Sequence, residues 1–541
     1  MLRSISSLKL SLFSLLITCL ISANVTLPQL FTDNVLLQQD TEVNVWGTAS
    51  VGESVSVSGS WSTFTAQTVT GSDGKWSVKL PTPVANTNGV NYTLTVQGNN
   101  QLTLNNVAIG DVWIIAGQSN VNWTMSFNVE GAAAAVAAAN YPQIRLLRLD
   151  DRPTSTPQDT YKEHGSYSGW TVCTPQTVRN ISAVGYFFAH DLHENTGVPV
   201  SLIHSARAGS LARAWLPIEE IEEIDEFKGQ GPWTTVGVNV AYEPTVYYNG
   251  NIAPLRQFTI RGVLWYQGES NVDIDDPEMY AQTLPKLIQG WRRVWDQGDF
   301  PFYVAHIVPW PDYVNDSYPE IIEVQNNVLA LPNTGIAVTV DLASSSLHPS
   351  KKREIGERFS FLARAQIYGE VIEETGPIYK GKATVGNRLQ LFFDQMGSGF
   401  SLNLEIAAFE VAGVDRQFYP AAVEIDASDS IFLSHPQVPE PKHVRYAWNT
   451  YPQAGFWNEA GLPTPPFRSD IPDYITSVLG HVPQLWAGYD VVDDAYIYLP
   501  LLNGWTSVDR DPWLFSYALQ SWVYLDEVSA EGGSSWVYIA R

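Results

Sequence analysis

The sequence predicts an α/β fold: a doubly wound parallel sheet flanked by helices, with accessory β-sandwich regions. Three observations carry this reading. Between residues 107 and 372 strand-like and helix-like segments alternate, the signature of a sheet built from crossover units. The strand-like runs there, such as Val112 to Ala116, are apolar throughout, as strands buried on both faces are. Before 107 and after 372 apolar and polar residues alternate with turn signals between them, which suits half-exposed strands.

Residues 1–23 read as a secretory signal. Arg3 and Lys9 flank the start, Leu10 to Ile21 is apolar, and Ser22-Ala23 supplies small residues for cleavage. The apolar part is short for a membrane span. Cys19 raises lipid attachment, but Thr18 is larger than the usual residue before a lipidated cysteine, so simple secretion is preferred. The expected location is periplasmic or extracellular.

Residues 25–106 form an N-terminal β-sandwich in this reading, from runs such as Val43-Asn44-Val45-Trp46 and Trp76-Ser77-Val78-Lys79-Leu80. Residues 107–372 are expected to form the α/β domain. Its expected strands are 112–116, 199–204, 260–266, 302–308 and 335–341; its expected helices are 178–196, 278–295, 318–330 and 350–368. In the last helix Ile355, Phe359, Leu362 and Ile367 share one stripe. Residues 373–475 return to β-like alternation, as in Leu389-Gln390-Leu391. Residues 476–541 are rich in aromatics, and Trp522-Val523-Tyr524 recurs as Trp536-Val537-Tyr538. They predict a small β appendage whose aromatics build its own core.

The net charge of −25 argues against nucleic acid or an anionic membrane as partner, since both need basic patches. Removal of the signal leaves Cys173 alone, so no intramolecular disulfide is expected. Clustered Cys and His residues of the kind zinc needs are missing, as are phosphate and dinucleotide glycine motifs; neither metal nor cofactor is expected.

Four polar clusters fall at or just past the ends of expected strands: Gly117-Gln118-Ser119-Asn120, Ser205 to Ser210, Gln267-Gly268-Glu269-Ser270-Asn271, and Asp341 to His348. One polar corner is ordinary. Four along one edge of a sheet would line a cleft holding the parts of a serine hydrolase. Ser119 would be the nucleophile and His348 its base. The N–H groups of Ser119 and Gly209, with an amide of Gln267 or Asn271, would stabilise the oxyanion. Gln118, Arg207 and Glu269 would line the substrate's place. His204 and His306 compete for the base role, and the chain lacks the G-x-S-x-G of the α/β-hydrolase elbow.

The motifs GQSN and WYQGESN after strands, and His348-Pro349 before a helix, closely resemble the sialate O-acetylesterase family, within the SGNH hydrolase superfamily. The likeness extends to Leu27–Trp46, Gly376–Lys380 and Arg445–Arg468, and so covers roughly residues 25–475. It implies an SGNH-like (flavodoxin-like) sheet and an esterase that removes acetyl groups from carbohydrate hydroxyls, with Ser119 as nucleophile and His348 as base.

Two departures stand out. Members commonly read S-x-W-G-G-T-x-x-E-A-W in the second block, where this chain has Arg207, Ala208 and Arg213 in place of tryptophan, glycine and glutamate. The superfamily often carries an aspartate three residues before the histidine; here that residue is Ser345 and the nearest acid upstream is Asp341. The orienting group is then Asp341, a more distant carboxylate, a backbone carbonyl or nothing, the last leaving a Ser–His dyad. Sialate O-acetylesterase is the expected activity. Acetylxylan or another carbohydrate acetylesterase is the first alternative, and a non-catalytic carbohydrate-binding protein the second. Arg207 would meet a sugar carboxylate if it faced the cleft, or pair with an acidic residue if it faced away.

Overall fold

The computed structural model describes residues 24–472 apart from 238, 275–276, 314–316, 407 and 428, and beyond 472 only short strands between 484 and 539. The expected signal at 1–23, with Cys19, lies outside the described residues, as does most of the aromatic-rich segment at 476–541.

The chain opens with strands β1 (Leu36–Gln38), β2 (Thr41–Thr48), β3 (Ser54–Gly59), β4 (Thr65–Val69), β5 (Lys75–Thr82) and β6 (Tyr92–Gln97). Antiparallel β2–β5 packs on β3, which pairs with β4 and β6. Alternate residues point inward: Val43, Val45, Val55, Val57, Trp76, Val78, Leu80, Leu94 and Val96 are buried together. This is the two-sheet arrangement that the alternation predicts.

The expected boundary at 106 is crossed by a single strand. β7 (Gln101–Gly117) pairs antiparallel with β6 through its first half and runs on as the middle strand of the parallel sheet. Asp111 marks the change of partner. Its fully buried carboxylate accepts from Gln38 Nε2 (3.0 Å), Gln39 Nε2 (2.9 Å), Arg261 Nε (3.0 Å) and the Tyr368 hydroxyl. Several charge-assisted bonds offset the cost of taking that carboxylate out of water.

The remaining strands are β8 (Tyr141–Arg148), β9 (Thr171–Cys173), β10 (Val200–Ala206), β11 (Gly262–Tyr266), β12 (Phe302–Ala305) and β13 (Thr334–Ala337). The order across the sheet is β13-β12-β11-β7-β10-β8-β9, parallel except for β9 at the edge. The helices are α1 (Ser119–Asn122), α2 (Ala132–Ala138), α3 (Ala183–Thr196), α4 (Ile218–Ile221), α5 (Glu269–Asp273), α6 (Pro277–Trp295), α7 (Tyr318–Asn326) and α8 (Lys352–Gln366). Residues of β7 alternate between two cores. Val112, Ile114 and Ala116 join the layer of α6 and α7, and Trp113 and Ile115 join that of α3 and α8. The sheet is thus covered on both faces, which is why its strands are apolar throughout.

Every strand and helix expected between 199 and 368 is present, within a few residues at its ends. The segment expected as a helix at 178–196 holds a short 3-10 turn, then α3, capped by the Ser182 hydroxyl, which accepts from Gly185 N at 3.3 Å. After 372 come two four-stranded antiparallel sheets around Leu389, Leu391, Phe409, Val411, Leu433, Tyr446 and Phe456. Arg468 from this region makes a bidentate ion pair with Glu323 on α7, at 2.7 and 3.0 Å. Among the described residues no helix is long and apolar enough to cross a membrane.

Candidate active site

β7 ends at Gly117, where the backbone turns with φ +144°. A Cβ here would lie 2.0 Å from the carbonyl oxygen of Tyr266 on β11, so a side chain would part the two strands. Ser119 follows at the start of α1, half-buried at the carboxyl end of the central strand. Among the described residues, neither its hydroxyl nor its N–H has a protein hydrogen-bond partner. Ligands gather at this edge of open α/β sheets.

β10 pairs with β7 up to Ala206–Gly117, and Arg207 N donates to Gly117 O at 3.0 Å. The turn after β10 is therefore held beside Ser119. Within it Gly209 has φ +73°, and no heavy atom lies within 4 Å of where its Cβ would be. The space over Gly209 is open, and its N–H meets no protein acceptor among the described residues. The Ser210 hydroxyl fixes the turn, donating to Arg207 O (2.9 Å) and accepting from Trp215 Nε1 (2.9 Å).

His348 lies in the loop between β13 and α8. Its ring stacks on Trp123, with centroids 4.3 Å apart and planes 9° from parallel, and Trp123 stacks in turn on exposed Phe127 at 4.6 Å. His348 Nε2 is buried without a partner, and no hydrogen bond joins the ring to Ser119. Catalytic hydrogen bonds of unliganded hydrolases are often long and tighten with substrate. The two loops are joined one residue away: Asn120 Nδ2 donates to Leu347 O at 3.1 Å. Partial burial, then the Lys352 ammonium, hold the His348 imidazole below its ordinary value, so it stays neutral further into acid.

Several expected residues have other work. Both oxygens of Asp341 accept from Arg358 on α8, at 2.7 and 2.6 Å, and no hydrogen bond ties Asp341 to His348. Gln267 and Asn271 are fully buried. Gln267 Nε2 already reaches Asn271 Oδ1 (2.5 Å), Ser210 O (3.1 Å) and Gln118 Oε1 (3.2 Å), so it has no N–H to spare for an oxyanion. Gln118 is buried as well and joins the loop after β11, Oε1 accepting from Gly268 N and Ser270 N at 3.3 Å. Glu269 is buried and accepts from Asn120 Nδ2 instead of facing the cleft. Arg207 pairs with Asp151 at 2.6 Å. Gln118, Gln267, Asn271 and Glu269 are thus buried and bonded among the loops, while Asp341 and Arg207 are each engaged in an ion pair.

The competing histidines are inside the sheet layer. His204 and His306 are buried, and burial drives His306 down to about 3, against a weaker opposing effect of the nearby Asn326 amide. Among the described residues no group of three or more His, Cys, Asp or Glu is arranged to hold a metal ion.

Two residues escaped the sequence reading. Trp123 follows the GQSN turn and gives no signal before the fold places it on His348. Lys352 did leave one: it lies three residues before Ile355 and seven before Phe359, on the apolar stripe of α8, and it is buried as that stripe is.

The comparisons agree with this frame. The family described as "Carbohydrate esterase, sialic acid-specific acetylesterase" matches residues 109–363. Sialate O-acetylesterase of Homo sapiens is 27% identical over 424 residues, covering 71% of this chain and 78% of its own. That of Pongo abelii is 28% identical over 423 residues, with the same coverage. The crystal structure of a carbohydrate acetylesterase from Xanthomonas citri superposes with a TM-score of 0.74 at 32% identity, covering 83% of this chain and all of that one. This chain therefore belongs to the sialate O-acetylesterase family of carbohydrate esterases, and it is a carboxylic ester hydrolase.

Proposed function

We propose that the protein is a secreted serine esterase that removes O-acetyl groups from carbohydrates, with Ser119 as nucleophile and His348 as base. The observation that carries this reading is the half-buried Ser119 at the end of β7, beside a turn whose open glycine and free N–H suit an oxyanion. Secretion rests on the character of residues 1–23 alone.

In this mechanism Ser119 Oγ attacks the acetyl carbonyl carbon while His348 Nε2 takes its proton. The N–H groups of Ser119 and Gly209 stabilise the oxyanion. His348 then protonates the departing sugar oxygen, and the C–O bond breaks to leave acetyl-Ser119. Water attacks that ester with His348 again as base, and acetate leaves as serine regains its proton. With Asp341 held by Arg358, the pair acts as a dyad steadied by the Trp123 stack.

The relatives' names point to acetylated sialic acid. The Arg207–Asp151 pair favours a second substrate, an acetylated neutral sugar, because the nearest expected cation for a sialate carboxylate already has its counter-ion. Acetate release from an O-acetylated sialic acid and from acetylated xylo-oligosaccharides, by wild type and by Ser119→Ala, tests both parts. Loss of several orders of magnitude in Ser119→Ala is expected; turnover near the wild-type rate would remove Ser119 from the mechanism.

A further inference from the structure

Three buried polar side chains meet directly behind the proposed nucleophile and base. Asn120 Oδ1 accepts from the Lys352 ammonium, and Asn120 Nδ2 donates both to Glu269 and to Leu347 O. The amide is fully specified: a cation reads its oxygen, and a carboxylate and a carbonyl read its two N–H bonds. Lys352 is fully buried, on the first turn of α8, and Glu269 opens α5. The mechanism above uses neither. A lysine and a glutamate are costly to bury unless other bonds offset the lost hydration.

Asn120 is the neighbour of Ser119, and Leu347 is the neighbour of His348. The amide that Lys352 and Glu269 hold is thus the tie between the two loops. The groups facing the Lys352 ammonium are Glu269 from α5, the Tyr266 ring from β11 at 5.5 Å, and His348, four residues before it in its own loop. The imidazole in turn faces Lys352 and the Trp123 ring.

We propose that Lys352 is a positioning residue: through Asn120, with Glu269 as its counter-ion, it sets the place of His348 relative to Ser119. Its ammonium adds to burial, the larger cause, in holding the imidazole below its ordinary value. Burial lowers Lys352 to about 7, with Glu269 opposing, so the ammonium is charged over the acid limb of the activity, where the effect on His348 is needed. Burial likewise raises Glu269, against the hydrogen bond from Asn120.

The inference rests on Ser119 and His348 being nucleophile and base, and the two readings fail separately. Ser119→Ala and His348→Ala are measured first on 4-nitrophenyl acetate; turnover that survives either one removes the parent reading. With both inactive, Lys352→Met and Lys352→Gln are compared with wild type. The expected result is a kcat lower by up to about 100-fold, KM within about twofold, and an acid limb of kcat/KM moved to higher pH. A limb that stays in its wild-type place overturns the proposal, whatever happens to kcat, because a merely structural lysine would behave so. If neither variant folds, the His348 Cε1 proton is titrated by NMR in the Ser119→Ala protein. A second inflection near 7, where Lys352 gives up its proton, supports the proposal, and a curve without one overturns it.

Discussion

The indole of Trp123 lies flat on the imidazole of His348, 4.3 Å between centroids and 9° from parallel. Trp123 ends the short helix that begins with Ser119, so one helical turn presents both the proposed nucleophile and the surface that holds its base. An aromatic face also stabilises a cation, here the imidazolium that the proposed proton transfer would form.

Trp123→Ala is expected to lower kcat by about 10- to 100-fold, since a loosened base is seldom within reach of the serine. Trp123→Phe, which keeps an aromatic face, should recover most of that loss. Steady-state kinetics on an acetyl ester decide the matter, and an unaltered kcat in Trp123→Ala would deny the stack a role.

Asp341 is expected to matter for stability more than for turnover. Removing its carboxylate in Asp341→Ala leaves Arg358 largely buried without its ion pair, at a cost of about 1–3 kcal/mol after allowing for the partial exposure of Asp341. The predicted outcome is a lower Tm with kcat within about tenfold of wild type well below that Tm. A loss of kcat as large as that of His348→Ala, without a change in Tm, would mean that the aspartate orients the base after all.

Arg207→Gln is expected to leave selectivity between acetylated acidic and neutral sugars unchanged, because Asp151 already holds the guanidinium. The check is the ratio of kcat/KM on the two substrates. A drop confined to the acidic sugar would show that substrate displaces Asp151.

His306 predicts a pH dependence of stability. Burial holds it near 3 in the folded chain against an ordinary 6.5, so the unfolded chain binds the extra proton between those values. The stability tied to the neutral ring is fully present above about 6.5 and is lost as pH falls toward 3, with a slope of up to about 1.4 kcal/mol per pH unit. Urea midpoints between pH 4.5 and 7 should fall more steeply with acid for wild type than for His306→Gln, and parallel slopes would count against it.

The layers of the fold were legible because burial on two faces writes itself as apolar runs, as at Val112 to Ala116. β8 was not. Arg145 sits fully buried in the middle of that strand, reaching Asn91 Oδ1 at 3.1 Å, and a charge inside an otherwise apolar run hides the pattern. In the site, Ser119 and Gly209 follow strand ends that the apolar runs mark, whereas His348 is singled out from His204 and His306 by the family resemblance. The direction in which Gln118, Gln267, Asn271 and Glu269 point could not, since a polar residue at a strand end can face the cleft or brace the loops from beneath. Only the three-dimensional partners of Gln267 Nε2 and Asn120 Nδ2 decide that.

Two units joined by a linker can rock against each other, but two units threaded on one strand of 17 residues cannot. Bending β7 near Asp111 would break ladder bonds to β1 on one side of that point and to β10 and β11 on the other. Rocking of the N-terminal sheets against the parallel sheet about that point therefore costs ladder bonds on both sides of it. A chain begun at residue 107 would also lose β1 and β6, the strands that align β7 before it reaches Ser119. The N-terminal sheets thus behave less as a passenger than as the handle on which the proposed nucleophile is mounted.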